Sequence, residues 1–159
     1  MNRKTDLDLK EGIGIKTAVD IVVFNNKGQV LLGERLALAG KNCWGFPGGH
    51  QKTGEQIRET AKREIREELG DKVKIEITDE IIAIRENNIP PDFIPHITII
   101  VKGIYKGGKI QLNEPKRCLS WRWFDLNKLP SPMFSGEEEV LLNYQKKRVK
   151  IVSDWWKKN

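Results

Sequence analysis

Arg63, Glu64, Glu67 and Glu68 stand together in the stretch REIREELG. Nothing between Gln56 and Leu69 breaks a helix, and at about 100° per residue the three carboxylates fit within one arc roughly 100° wide. Ile57, Ala61, Ile65 and Leu69 form the adjoining apolar stripe, so the carboxylates sit where the helix meets a core. A solvated face of Glu, Lys and Arg is the ordinary meaning of such a composition. Against it, Glu64 and Glu68 are a like-charge i, i+4 pair, and two such charges about 4 Å apart repel by up to roughly 4 kcal/mol at an effective dielectric near 20. A divalent cation removes that cost. Carboxylate oxygens that leave room for waters and phosphates suit Mg²⁺, with Mn²⁺ as a replacement.

Several elements must position this group. Thr53 and Gln56 have capping-box spacing and Gly70 is a natural left-handed stop, which predicts a helix over Gln56 to Leu69. Before it, TAVDIVVF (Thr17 to Phe24) is rich in β-branched residues, Asn25 to Gly28 supplies a turn, and Gln29 to Leu32 returns as a strand. A small-residue loop then leads to Trp44, Phe46 and the Pro47-Gly48-Gly49 turn, where glycine lets backbone approach a ligand. After the helix, Lys72 to Arg85 alternates apolar residues, with a break expected at Thr78 to Glu80. Asn87 to Pro95 holds three prolines and reads as a loop. His96 to Tyr105 is the clearest strand, and Gly107-Gly108 turns it into an expected strand over Lys109 to Leu112. Trp121 to Asp125 is a short strand, with Trp121 and Trp123 read as core. Ser135 caps an expected final helix of roughly twenty residues that carries Trp155 and Trp156 near its end.

The 159 residues carry 28 Lys and Arg against 22 Asp and Glu, a formal +6, although the carboxylate group is itself acidic. Much of the basic charge lies in the last fifteen residues, at Lys146, Lys147, Arg148, Lys150, Lys157 and Lys158. That segment reads as a solubilising surface first and as a site for polyanions or RNA second. Cys43 and Cys118 have no zinc-type spacing and are too few for a disulfide scaffold. The amino terminus has no apolar signal core and no run is long enough to span a membrane, so a cytoplasmic protein without membrane partners is expected. Length predicts a single domain over 1–159, with 1–12 flexible.

Gly49, Glu55, Arg63, Glu64, Ile65, Glu67, Glu68 and Gly70 fall at the offsets of the Nudix signature, and the chain resembles the Nudix hydrolases. The LLGER, WGFPGGH, PHITI, WRWFD and LPSPMFSGE segments resemble the MutT-type branch, over roughly residues 17 to 140. Asp71 departs from the signature's apolar ending, and Lys116 and Arg117 follow Glu114-Pro115 where relatives are often acidic. The resemblance implies an α/β/α sandwich, a mixed β-sheet between helices. It implies a Mg²⁺-dependent enzyme that cleaves nucleoside triphosphates, oxidised or modified ones included, to the monophosphate and pyrophosphate. Metal ligands would be Glu64, Glu67, Glu68 and the Gly49 carbonyl, oriented by Arg63 with Glu55. Either Glu64 or Glu114 would be the general base. Candidates for substrate contact are Arg35, Trp44, Phe46, Phe93, His96, Met133 and Phe134. The alternative substrates are a nucleotide-sugar, ADP-ribose, a dinucleoside polyphosphate or an RNA 5′ end, and an RNA-binding module is the non-enzymatic alternative. The partner expected is a small nucleotide, with nucleic acid less favoured, acting on a monomer or homodimer.

Overall fold

A computed structural model describes residues 15–37, 40–87, 96–134 and 136–152. The expectations placed on 1–12, on most of the Pro-rich loop with Phe93, on Ser135, and on Trp155, Trp156, Lys157 and Lys158 lie outside the described residues. The strands are β1 (Lys16–Phe24), β2 (Val30–Arg35), β3 (Trp44–Gly45), β4 (Gly48–His50), β5 (Val73–Asn87), β6 (His96–Gly108), β7 (Cys118–Phe124) and β8 (Lys150–Val152). Among the described residues the helices are α1 (Ile57–Leu69) and α2 (Glu137–Gln145). One mixed sheet runs β3-β2-β1-β6-β5-β8, with β4 added on β1 and β7 on β2. β1 pairs in parallel with β6 and β5 with β8; the other pairings are antiparallel.

Alternation along β1 divides the core. Val19, Ile21 and Val23 pack with Leu31, Ala61, Ile65 and Leu69 beneath α1. Val22 and Phe24 pack on the other face with Leu32, Ile100, Val140 and Leu141 beneath α2. Because side chains of a strand alternate between faces, β1 serves two cores at once, and this makes the sheet the middle layer of an α/β/α sandwich. Among the described residues no helix is long and apolar enough to cross a membrane.

Four expectations change. α1 begins one residue late, and its capping box is Gln56 with Glu59, whose carboxylate accepts the Gln56 N–H at 2.8 Å. Thr53 instead precedes a left-handed Gly54 (φ +87°), a conformation that takes the chain out of helix. The expected break at Thr78 to Glu80 is a register irregularity inside the continuous β5. Lys109 to Leu112 is not a strand: Gln111 N–H and Asn113 N–H donate to the Leu69 and Glu68 carbonyls at 2.9 and 3.2 Å, so this segment satisfies the orphan end of α1. The last helix stops at Gln145, Lys147 takes φ +53°, and β8 follows. β-branched residues at 149, 151 and 152 suit a strand, and β5 offers them an edge.

Candidate functional site

α1 meets the sheet where β4 lies on β1. Arg63 is the centre of the contact: its Nε and Nη2 donate to Glu55 at 2.6 and 3.0 Å, Nη1 to Glu64 and Glu67 at 2.6 and 3.0 Å, and Nη2 to the His50 carbonyl at 2.9 Å. Five bonds from one planar cation fix three carboxylates and the end of β4 in one frame. Arg63 and the backbone N–H of Lys52 hold the Glu55 carboxyl down at about 2. The same carboxylates raise the Arg63 guanidinium further above its ordinary value.

Glu64 is 8% exposed, and burial pushes its carboxyl up despite Arg63, with Glu67 and Glu114 adding to the rise. Glu68 is pushed well up by burial, against the Gly48 N–H that donates to it at 3.0 Å, and Glu64, Glu114 and Asp20 push the same way. Gly49 is a glycine because a Cβ there would stand 2.6 Å from Glu64 Oε1. Gly48 has φ +153°, and a Cβ would collide with the Val19 carbonyl. Helix and strand therefore touch without an intervening side chain, and Glu64 and Glu68 face β4 directly. Glu67 is more open and meets Lys52 at 3.5 Å. Gly70 closes the helix at φ +86°, its N–H donating to the Arg66 carbonyl at 3.0 Å.

Beside this contact lies a cleft of about 420 Å³. Glu68, Gly48, Gly49, Arg35, Trp121 and Phe134 are among the residues that line it. The Arg35 guanidinium lies 4.1 Å from the Phe134 ring centroid. Phe46 and His96 also line the cleft, as sequence reading proposed. Trp44 does not: its ring packs edge-on against Phe124 at 4.9 Å, since β3 pairing turns it toward the α2 core. Met133 likewise packs on that core. Glu114 is half-buried outside the cleft, 3.7 Å from Arg117 and close enough to raise Glu64 and Glu68.

Sequence reasoning missed the floor of the cleft. Arg85 is buried there and donates to Asp20 at 2.6 Å, while its Nη1 faces Glu137 at 3.5 Å. Glu137 accepts the Phe46 N–H at 2.8 Å, and burial pushes its carboxyl up to about 8 against the pull of Arg85. Nε and Nη1 of Arg85 have no hydrogen-bond partner. The available signal was Asp20 inside TAVDIVVF and Arg85 closing IIAIR, single charges at inward positions of apolar strands.

A family model described as the NUDIX domain matches residues 14–144. The chain belongs to the NUDIX family. Among curated relatives of this Nudix chain, an RNA pyrophosphohydrolase of Bartonella bacilliformis is 27% identical, covering 80% of this chain and 87% of its own. An oxidized purine nucleoside triphosphate hydrolase of Danio rerio is 31% identical, covering 80% of each. Among solved structures, a MutT NUDIX hydrolase from Burkholderia pseudomallei superposes with a TM-score of 0.71 at 23% identity, over 81% of this chain and 97% of that one. That likeness is one of fold, and it matches the mixed-sheet sandwich of this Nudix chain.

Proposed function

We propose that the chain is a Mg²⁺-dependent hydrolase of nucleoside triphosphates, ribo- or deoxyribo-, oxidised or modified bases included, releasing the monophosphate and pyrophosphate. The observation that carries this reading is that Glu68, from the carboxylate cluster of α1, lines with Gly48 and Gly49 a cleft with room for one nucleotide. The name of the Danio rerio relative supports the same substrate class.

The donor set suits a hard cation. Among the described residues no three His, Cys, Asp or Glu side chains converge on one point, because Arg63 takes up Glu64 and Glu67. Yet Glu64 and Glu68 are both pushed toward protonation, by burial first and then by neighbouring carboxylates, Glu67 and Glu114 for Glu64 and Glu64, Glu114 and Asp20 for Glu68, the situation that an oxygen-coordinated divalent ion relieves. Glu64, Glu67, Glu68 and the Gly49 carbonyl would hold it. Bound there, Mg²⁺ supplies charge neutralisation to the phosphates and acidity to a water. The chain's own residues do the rest. Arg63 keeps the carboxylates in register with β4, Glu55 anchors Arg63, and the bare backbone of Gly48-Gly49 lets a phosphate chain lie against the helix. We assign proton acceptance to Glu64, whose burial favours the protonated form, with Glu114 as the alternative acceptor. Arg35, Phe46, His96 and Phe134 contact the nucleotide; Trp44 supports the cleft from behind.

A second reading, cleavage at a triphosphorylated RNA 5′ end, is favoured by the name of the Bartonella relative. Of the basic carboxy-terminal residues, the described Lys146, Lys147 and Arg148 do not line the cleft. Lys147 and Arg148 border a separate hollow with Glu80, Leu126 and Tyr144. The experiment is a panel of nucleotides, nucleotide-sugars, ADP-ribose and 5′-triphosphorylated oligoribonucleotides with Mg²⁺, read by product identity. Monophosphate plus pyrophosphate from mononucleotides supports the first reading; turnover confined to RNA replaces it with the second.

A further inference from the structure

Lys16, His50 and His96 come from three adjacent strands, β1, β4 and β6, and line one end of the cleft. The registers put them there. Lys16 stands opposite His96 in the parallel β1/β6 pair, and Ala18 stands opposite His50 in the antiparallel β1/β4 pair. Lys16, Ala18 and Asp20 share one face of β1 because side chains alternate. Ala18 is small, so the imidazoles of the strands on either side meet over it, with ring centroids 5.6 Å apart and planes at 66°.

We propose that this end of the cleft binds the outer phosphates of a polyphosphate chain and so selects triphosphates over nucleotides joined to a second group through a diphosphate. The inference rests on the preceding reading that the cleft takes a nucleotide. Lys16 supplies the fixed charge and forms no ion pair among the described residues. Asp20, the carboxylate near His50, is engaged by Arg85 at 2.6 Å. An imidazole donates an N–H in either protonation state, and an anion between the rings and the Lys16 ammonium accepts charge-assisted hydrogen bonds from them. His50 directly follows Gly49, and its carbonyl is held by Arg63 at 2.9 Å. A phosphate chain lying on Gly48-Gly49 beside Glu68 therefore runs toward these donors. A sugar or second nucleoside in that place offers them no comparable charge.

The test uses the whole chain in EDTA and inorganic tripolyphosphate as the titrant in calorimetry, with orthophosphate for comparison. Lys16→Gln and His96→Gln should each weaken tripolyphosphate binding about tenfold, the loss of one charge-assisted contact. Lys16→Arg should restore most of it. Lys72→Gln, which removes an exposed charge away from the cleft, should change little. In turnover with Mg²⁺, Lys16→Gln should raise KM for a nucleoside triphosphate more than it changes kcat, and should lower the kcat/KM ratio of triphosphate over ADP-ribose. Wild-type affinity in both cleft variants, or an equal loss in Lys72→Gln, would overturn the inference while nucleotide hydrolysis by the wild type left the first reading standing. Lys16-dependent tripolyphosphate binding without any nucleotide turnover would sustain the anion site and overturn the catalytic reading.

Discussion

At the scale of single residues, Arg63 holds the site in one piece through five hydrogen bonds. Replacing it by Lys keeps the charge but cannot bridge Glu55, Glu64 and Glu67 together, and it leaves a partly buried carboxylate group unpaired. A loss of about 3 kcal/mol in urea unfolding is expected. Glu67→Gln and Glu68→Gln should each lower kcat more than about a hundredfold, with near-wild-type melting, if they hold the cation. Unchanged turnover at saturating Mg²⁺ would remove them from the site. Two carboxyls give opposite pH signatures. Glu55 sits at about 2 against an ordinary 4.5, so its stabilisation is complete above 4.5 and is lost as pH falls toward 2. Glu137 sits at about 8 against 4.5, so its contribution is complete below 4.5 and is lost as pH rises through 8. Melting curves of Glu55→Gln should lose the acid slope, and those of Glu137→Gln the slope between pH 4.5 and 8. The helix carboxylates were legible because a 3.6-residue period and a like-charge pair are local facts. The Arg85, Asp20 and Glu137 cluster was not: those residues are 65 and 52 positions apart along the chain from Asp20 to Arg85 and from Arg85 to Glu137, and only the sheet brings them together.

At the scale of elements, α1 was readable to within one residue, while its cap was assigned to the wrong pair. Both Thr53/Gln56 and Gln56/Glu59 have the required spacing, and the left-handed Gly54 decides between them. Glu59→Ala should therefore cost about 1 kcal/mol, whereas Thr53→Ala should cost a few tenths at most, as chemical denaturation would show. The end of the chain was misread for a comparable reason. A helical period continues past Gln145, but the open edge of β5 captures the β-branched residues that follow. Tertiary pairing overrides local preference there. The same rearrangement takes Lys147 and Arg148 away from the cleft. Replacing Lys146, Lys147 and Arg148 by Gln should leave kcat for a mononucleotide within about twofold and alter kcat/KM chiefly at low salt.

At the scale of the molecule, β1 is the strand on which both cores and the cleft depend. It carries Val19, Ile21 and Val23 toward α1, Val22 and Phe24 toward α2, and Ala18 and Asp20 into the cleft. Its parallel register with β6 runs unbroken from Lys16 to Phe24. Substituting a residue in such a strand changes one contact, but deleting a residue shifts every later side chain to the opposite face. A deletion at Val19 would turn either the segment before it or the segment after it inside out, exchanging cleft residues for core residues. The Asn25-Gly28 turn has no such constraint, being exposed and joined to the sheet only at its ends. Among length variants, losses and gains should therefore survive in that turn and vanish from β1, even where β1 accepts conservative exchanges, so that length here is more strictly fixed than residue identity.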